Sequence, residues 1–174
     1  MSDAIVIRQA QADDLDDVLA LWQYLDAYQA RLDPTLRPVD DAERLWASEF
    51  KVLLHDKEGG CFLVAEDEGR IVGLVTARAV QPRPLYTPQP YAFVDEVVVD
   101  PGWRGRGVAT RLIGTVQAWA QSHGLARVEA RVVAANEHAR AFWRRVGAKE
   151  VAVTVRLDTS ARHGTGASEA DSVP

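Results

Sequence analysis

Only one of the 174 residues is cysteine, Cys61. This excludes an internal disulfide and a cysteine-based metal cluster, and it favours a reducing compartment. No apolar run approaches the ~20 residues needed to cross a bilayer. The opening residues, MSDAIVIRQA, carry no basic segment followed by an apolar one, so no secretory signal is read there. These absences lead us to expect a cytoplasmic protein without a membrane partner. No Ser-His-Asp arrangement, metal-ligand spacing or internal repeat is found, and the expected metal content is none. His55, His123 and His163 fall in surface-like or tail segments.

What is present is an ordinary globular composition, 47% hydrophobic and 26% charged, with a net charge of −5. The length suits one domain with one core. Charge is unevenly spread. Asp13, Asp14, Asp16, Asp17, Asp40, Asp41 and Glu43 make the first third acidic. Residues 104 to 145 are basic, with Arg104, Arg106, Arg111, Arg127, Arg131, Arg140, Arg144 and Arg145 against Glu129 and Glu137. The basic part lacks interleaved aromatics for base stacking, which argues against nucleic acid. It suits an anionic ligand, and the acidic part suits a cationic one. Many of these charges read equally well as solvated helix faces.

Periodicity supplies ten elements. Ile5 to Ile7 read as a strand. Asp13 and Asp14 open a helix with an apolar stripe of Leu15, Val18, Leu19, Trp22 and Leu25. After a loop holding Pro34 and Pro38, Asp40 and Asp41 open a second helix carrying Leu45, Trp46, Glu49, Phe50 and Leu53. Phe62 to Glu66 and Ile71 to Val80 read as a hairpin turning at Gly69, with Gly73 marking a bulge or a close approach. The proline-rich loop Gln81 to Pro90 carries Tyr86 and suits the substrate side of a site. Ala92 to Val99 form a central strand. Val108, Leu112, Ile113, Val116, Trp119 and Ala120 line a helix ending at Gly124. Arg127 to Val133 form a strand. Asn136 caps a helix with Ala139, Phe142, Trp143 and Val146, stopped by Gly147. Val151, Val153, Val155 and Leu157 alternate as in a half-buried strand. From Asp158 to Pro174 the composition turns to small and polar residues, expected to be a disordered tail.

The stretch VVVDPGWRGRGVA, Val97 to Ala109, is where the chemistry points. A β-branched strand ends in Asp-Pro, a glycine-and-arginine turn follows, and a helix opens. Glycines allow close backbone approach, the first helix amides have no intrahelical partner, and the helix dipole and arginines add positive charge. This is a cradle for an anion such as a pyrophosphate. It resembles the acyl-CoA-binding motif of the GNAT superfamily of N-acetyltransferases: Gln or Arg, two residues, Gly, one residue, Gly or Ala, here Arg104, Gly107 and Ala109. A second stretch, NEHARAFWRRVGA, resembles that family's Asn, two residues, Ala pattern, with Asn136 and Ala139 matching.

The resemblance spans roughly residues 4 to 157 and implies an α/β (α+β) fold. Its sheet would be mixed, mostly antiparallel, with six to seven strands and splayed central strands, flanked by four helices. Residues 1–157 would form a single domain. It further implies acetyl-CoA as co-substrate and transfer of its acetyl group to a primary amine by direct attack in a ternary complex. The backbones of Val97, Val98 and Val99 would hold the pantetheine arm as an added strand would be held. Arg104, Gly105, Arg106, Gly107, Val108 and Ala109 would take the pyrophosphate. Asn136 would hydrogen-bond near the arm or act only as a cap.

Trp143 stands where the family has a tyrosine that protonates the leaving thiolate. An indole is no useful acid, so Trp143 is expected to pack against the arm. The hydroxyl candidates are Tyr86, Tyr91 and Tyr24. Asp95 and Glu96 lie where family members place an acidic base; they point to opposite faces of the strand, so at most one faces the thioester. Glu129 is a weaker candidate. Cys61 is expected at the core edge, without an acetyl-cysteine intermediate.

Two rival readings compete. Gly105, Gly107 and Glu129 imitate a dinucleotide fingerprint, but Thr110 occupies the third glycine position and the motif sits late in the chain. Alternatively, the chain is a non-catalytic acyl-CoA-binding sensor or partner domain, a reading that the loss of the tyrosine at Trp143 supports. The acceptor is read as a small-molecule or peptide amine, cationic in character, and a homodimer is allowed.

Overall fold

The structure is a computed structural model describing residues 5–56, 59–83, 89–157 and 159. Its sheet has five strands in sequence order: β1 (Val6–Gln9), β2 (Gly60–Asp67), β3 (Arg70–Val80), β4 (Tyr91–Val99) and β5 (Val128–Ala130). The first four pair antiparallel, and β4 pairs parallel with β5. Four helices accompany them: α1 (Leu15–Leu32), α2 (Ala42–His55), α3 (Val108–Ser122) and α4 (Glu137–Arg145).

Helices cover both faces, which is why β2 and β3 read as near-continuous apolar runs rather than clean alternations. On one face Leu63, Ala65, Val72, Val75, Val94 and Val99 pack under Val108, Leu112, Ile113 and Val116 of α3. On the other, Phe62, Val64, Leu74 and Val98 pack under Val18 and Leu21 of α1 and Trp46 and Phe50 of α2. Gly73 is a close approach: a Cβ there would lie 3.1 Å from the Val98 carbonyl oxygen and 3.3 Å from side chains of Leu112 and Val108. A bulge beside it shifts the β2–β3 register.

Two irregularities shape the middle of the sheet. The β3–β4 register pairs Thr76 with Glu96 but Ala77 with Val94, leaving Asp95 as an extra residue. Such a bulge reverses the phase of the side-chain alternation. Val94 therefore packs on the α3 side, while Val98, of the same parity, packs under α1 and α2. The second irregularity is a splay. β4 and β5 pair only from Ala92–Val128 to Val94–Ala130, so residues 95 to 99 have no strand beside them on that edge.

The strand count corrects the expectation of six to seven: the sheet of the described residues has five. The segment expected as a strand from Arg127 to Val133 is paired only over Val128–Ala130, because β4 diverges there. Val151 to Leu157 form no strand, and Val151, Val153, Val155 and Leu157 are all exposed. Their alternation is real, but nothing among the described residues covers it. The expected tail lies outside the described residues except for Thr159.

Candidate functional site

The splay opens a cavity of about 520 Å³ bounded by β4, the loop after it, α1 and α4, within the usual range for small-molecule sites. Val97, Val98 and Val99 form one side. The loop supplies Arg104, Gly105 and Gly107, and the start of α3 supplies Val108 and Ala109. Asn136, Ala139 and Trp143 of the second motif close the far side. Two stretches about thirty residues apart in sequence thus meet across one space.

The loop is built rigidly at its base. Asp100 accepts the Gly102 amide at 2.8 Å, and the Trp103 indole donates to Asp67 at 2.6 Å. Arg70 and Arg106 lie over the Trp103 ring. Gly107 then caps α3 at φ 78°, a left-handed backbone that a side chain disfavours, and Gly105 is similar at 77°. Open space lies beside both glycines. No side chain caps α3, and its first intrahelical bond runs from the Arg111 amide to the Gly107 carbonyl. The amides before it lack intrahelical acceptors at the cavity wall.

Arg104 reaches across the mouth. Its Nε donates to the Val99 carbonyl at 3.3 Å and its Nη2 to the Tyr24 hydroxyl at 3.0 Å. Arg106, expected beside it, stays over Trp103 and does not line the cavity. Asn136 does cap its helix, its side-chain oxygen accepting the Ala139 amide at 3.0 Å, and it also lines the cavity. The two readings of Asn136 are therefore compatible.

The acidic pair separates as the bulge dictates. Asp95 is exposed and ion-paired to Arg78 at 3.1 Å. Glu96 points under α1 and α2, where the Trp46 indole nitrogen lies 3.1 and 3.3 Å from its two oxygens. Trp22 stacks on Trp46 with ring centroids 5.4 Å apart. Burial pushes the Glu96 carboxyl up to about 7; the indoles of Trp46 and Trp22 pull it down, and the carboxylates of Asp95 and Glu49 push it up. Glu96 does not line the cavity itself but immediately precedes Val97, which does. Glu129 is engaged by Arg127 at 2.6 Å.

The three tyrosines also separate. Tyr24 lines the cavity, Tyr91 lies beneath Arg127, and Tyr86 falls outside the described residues. Cys61 is buried, and burial pushes its thiol up to about 12, so it is no nucleophile near neutral pH. His138, which the sequence places at a helix start near the cofactor, lines the cavity, and residues that the sequence reading did not bring here are Tyr28, Phe142 and Arg145. Tyr28 lies four residues after Tyr24, and His138, Phe142 and Arg145 follow helical spacing on α4, so a shared face was the available signal. Among the described residues no group of three metal-ligating side chains converges, and no helix is long and apolar enough to cross a membrane. A second groove, of about 590 Å³, lies between β1 and α3 and offers only Arg111 and Thr115 as polar side chains.

A mixed sheet that splays beside a glycine-arginine turn leaves an open strand edge facing the start of a helix across one cavity. The chain belongs to the acetyltransferase (GNAT) family, whose model matches residues 21–148. It is 33% identical over 150 residues to an uncharacterised N-acetyltransferase of Methanocaldococcus jannaschii, a match covering 83% of this chain and 60% of that protein. The chain thus spans less than two thirds of that relative's length. In structure it is similar to a Bacillus halodurans protein, with a TM-score of 0.81 at 20% identity over 88% of this chain and 99% of that one. It is also similar to an aminoglycoside N-acetyltransferase solved in complex with CoA, with a TM-score of 0.68 at 21% identity over 91% and 96% of the two chains.

Proposed function

We propose that this chain is an acetyl-CoA-dependent N-acetyltransferase that acts on a primary amine, by direct attack in a ternary complex. The observation that carries the reading is the placement of Glu96. A carboxylate titrating near neutral pH directly precedes the unpaired edge of Val97, Val98 and Val99. Acetyl-CoA, when bound, supplies an acetyl group activated as a thioester. The residues fit such a ligand: an open strand edge for an arm with amide groups, and free amides with Arg104 for phosphate oxygens.

In this reading Glu96 takes the proton of the amine, directly or through one water, so that the nitrogen attacks with its lone pair free. Glu96 is the general base, and Asp95, neutralised by Arg78, is not. The Tyr24 hydroxyl, polarised by Arg104, offers the departing sulfur a proton. That help is modest, since a thiol of pKa about 8.5 leaves readily. Val97 to Val99 and the first amides of α3 hold the reactants in register, which supplies much of the rate. The acceptor is a cationic amine, supported by Glu96, Trp22 and Trp46 on the α1–α2 side: a half-buried carboxylate beside stacked aromatics favours a cation. The same reading places residues 1–157 in a single domain and the protein in the cytoplasm.

A screen of cationic amines with acetyl-CoA, read by thiol release and by mass of the product, tests this. Acetylation that Glu96→Gln removes is the expected outcome. Acetyl-CoA binding without turnover across the panel would favour the non-catalytic sensor instead.

A further inference from the structure

The turn into α3 is anchored from outside itself. The amides of Trp103 and Arg104 bond back to the carbonyls of Asp100 and Pro101, at 2.9 and 3.4 Å, and the Asp100 amide donates to the Val72 carbonyl of β3 at 2.9 Å. Beyond them, no hydrogen bond among the described residues reaches the backbone of Gly105 or Arg106. Gly105 and Gly107, both at positive φ, bracket this unsupported step. A segment without bonds of its own takes its place from how firmly its neighbours are held.

On the β4 side that neighbour is Trp103, and the β2–β3 hairpin grips its side chain. The indole nitrogen donates to Asp67 at 2.6 Å, a short bond to a carboxylate. Arg70, which faces Asp67 across the hairpin, lies 4.7 Å over the same ring and donates to Asp100 at 2.8 Å. Asp100 in turn accepts the Gly102 amide. The hairpin thus fixes both ends of the helical turn Pro101–Trp103. Trp103 lines the cavity, whereas Asp67 and Arg70 do not. By charge alone, two carboxylates beside a site for phosphate are unfavourable. Their use lies in what they hold.

We infer that Asp67 and Arg70 are positioning residues for acyl-CoA. Through the Trp103 ring and Asp100 they set the entry of the turn, and so the aim of the amides that open α3. The inference rests on the acyl-transfer reading in taking that turn to receive the diphosphate of the co-substrate.

Calorimetric titration of acetyl-CoA into full-length variants separates position from charge by the sign of the effect. Asp67→Ala removes a negative charge, which by electrostatics alone would tighten binding; acting through Trp103, it should instead raise Kd by roughly tenfold. Asp67→Asn loses the same charge but keeps an oxygen that accepts the indole N–H, and should bind at least as well as the wild type. Trp103→Phe keeps a ring beneath Arg70 and removes only the donor, so it should match Asp67→Ala. The double variant should be no weaker than either single, about tenfold and not about a hundredfold, since both changes remove one bond. Arg70→Leu leaves Asp100 unpaired, so its loss of affinity should shrink as salt is raised. Should Asp67→Ala fail to fold, the contrast of Asp67→Asn with Trp103→Phe decides. Wild-type affinity in Asp67→Ala, equal behaviour of the Ala and Asn variants, or additive losses in the double variant overturn this inference and leave the acyl-CoA site standing. A wild type that gives no saturable heat removes the acyl-transfer reading and this inference together.

Discussion

Glu96 bears two opposed demands. As a base it must be unprotonated near neutral pH, yet its burial favours the neutral form and raises it from 4.5 to about 7. The sign for stability follows. Below 4.5 the carboxyl is protonated whether the chain is folded or not, and it costs nothing. Between 4.5 and 7 the folded state loses stability as pH rises, and above 7 the full cost remains. Glu96→Gln should thus raise the melting temperature at pH 8, by an effect of up to roughly 3 kcal/mol, and leave it almost unchanged at pH 4. The same variant should lower kcat/KM by roughly 10²- to 10⁴-fold. In the wild type, kcat/KM should climb through a limb near pH 7. Trp46→Phe removes the indole donor, so the limb should move to higher pH; an unmoved limb would separate Trp46 from the base. Tyr24→Phe should reduce kcat by no more than about tenfold, given how readily a thiolate leaves.

At the scale of elements, the turn into α3 and the entry to α1 carry the next tests. Gly107 sits at φ 78°, so Gly107→Ala should cost about 1 kcal/mol of stability. Because that backbone aims the α3 amides, the KM for acetyl-CoA should rise in steady-state kinetics while that for the amine barely moves. At the other end of the fold, Arg8 on β1 ties two elements together. It grips Asp14 through both terminal nitrogens, at 2.7 and 2.8 Å, and Glu66 of β2 through Nε at 2.6 Å. Asp14 is nearly buried and also accepts the Gln11 amide at 2.7 Å. Arg8 holds the Asp14 carboxyl below its ordinary 3.8. Its contribution is therefore complete above 3.8 and lost as pH falls through the lower folded value. Asp14→Ala should destabilise by about 3 kcal/mol, read as a lower urea midpoint at pH 7, with a smaller difference from wild type at pH 3.

Across the whole molecule, local patterns are legible in the sequence and pairings at long range are not. The spacing of Arg104, Gly107 and Ala109, and of Asn136 and Ala139, is readable because each motif is a turn entering a helix, encoded within a dozen residues. Their meeting in one cavity agrees with that reading. The Asp95 bulge is not readable, because it arises from the register of β3 against β4 and leaves no composition mark. The opposite orientation of Asp95 and Glu96 can be read, but which of them turns under α1 and α2 cannot. Trp46 illustrates the same limit: its place in an apolar stripe is plain, while its indole bond to Glu96 spans fifty residues. The valines of residues 151 to 155 alternate as a strand does, yet periodicity alone does not say whether a partner strand lies beside them. Arg106 is expected at the phosphates because it stands in the motif; that its side chain lies over the Trp103 ring is a contact the motif does not show.

Isothermal titration calorimetry of acetyl-CoA into the full chain tests most directly whether the splayed edge of β4 and the turn into α3 form an acyl-CoA site. Saturable binding of one acetyl-CoA per chain, weakened by Gly107→Ala and by Arg104→Ala, is the expected result. Absence of saturable heat with acetyl-CoA, or binding that both substitutions leave untouched, would contradict it.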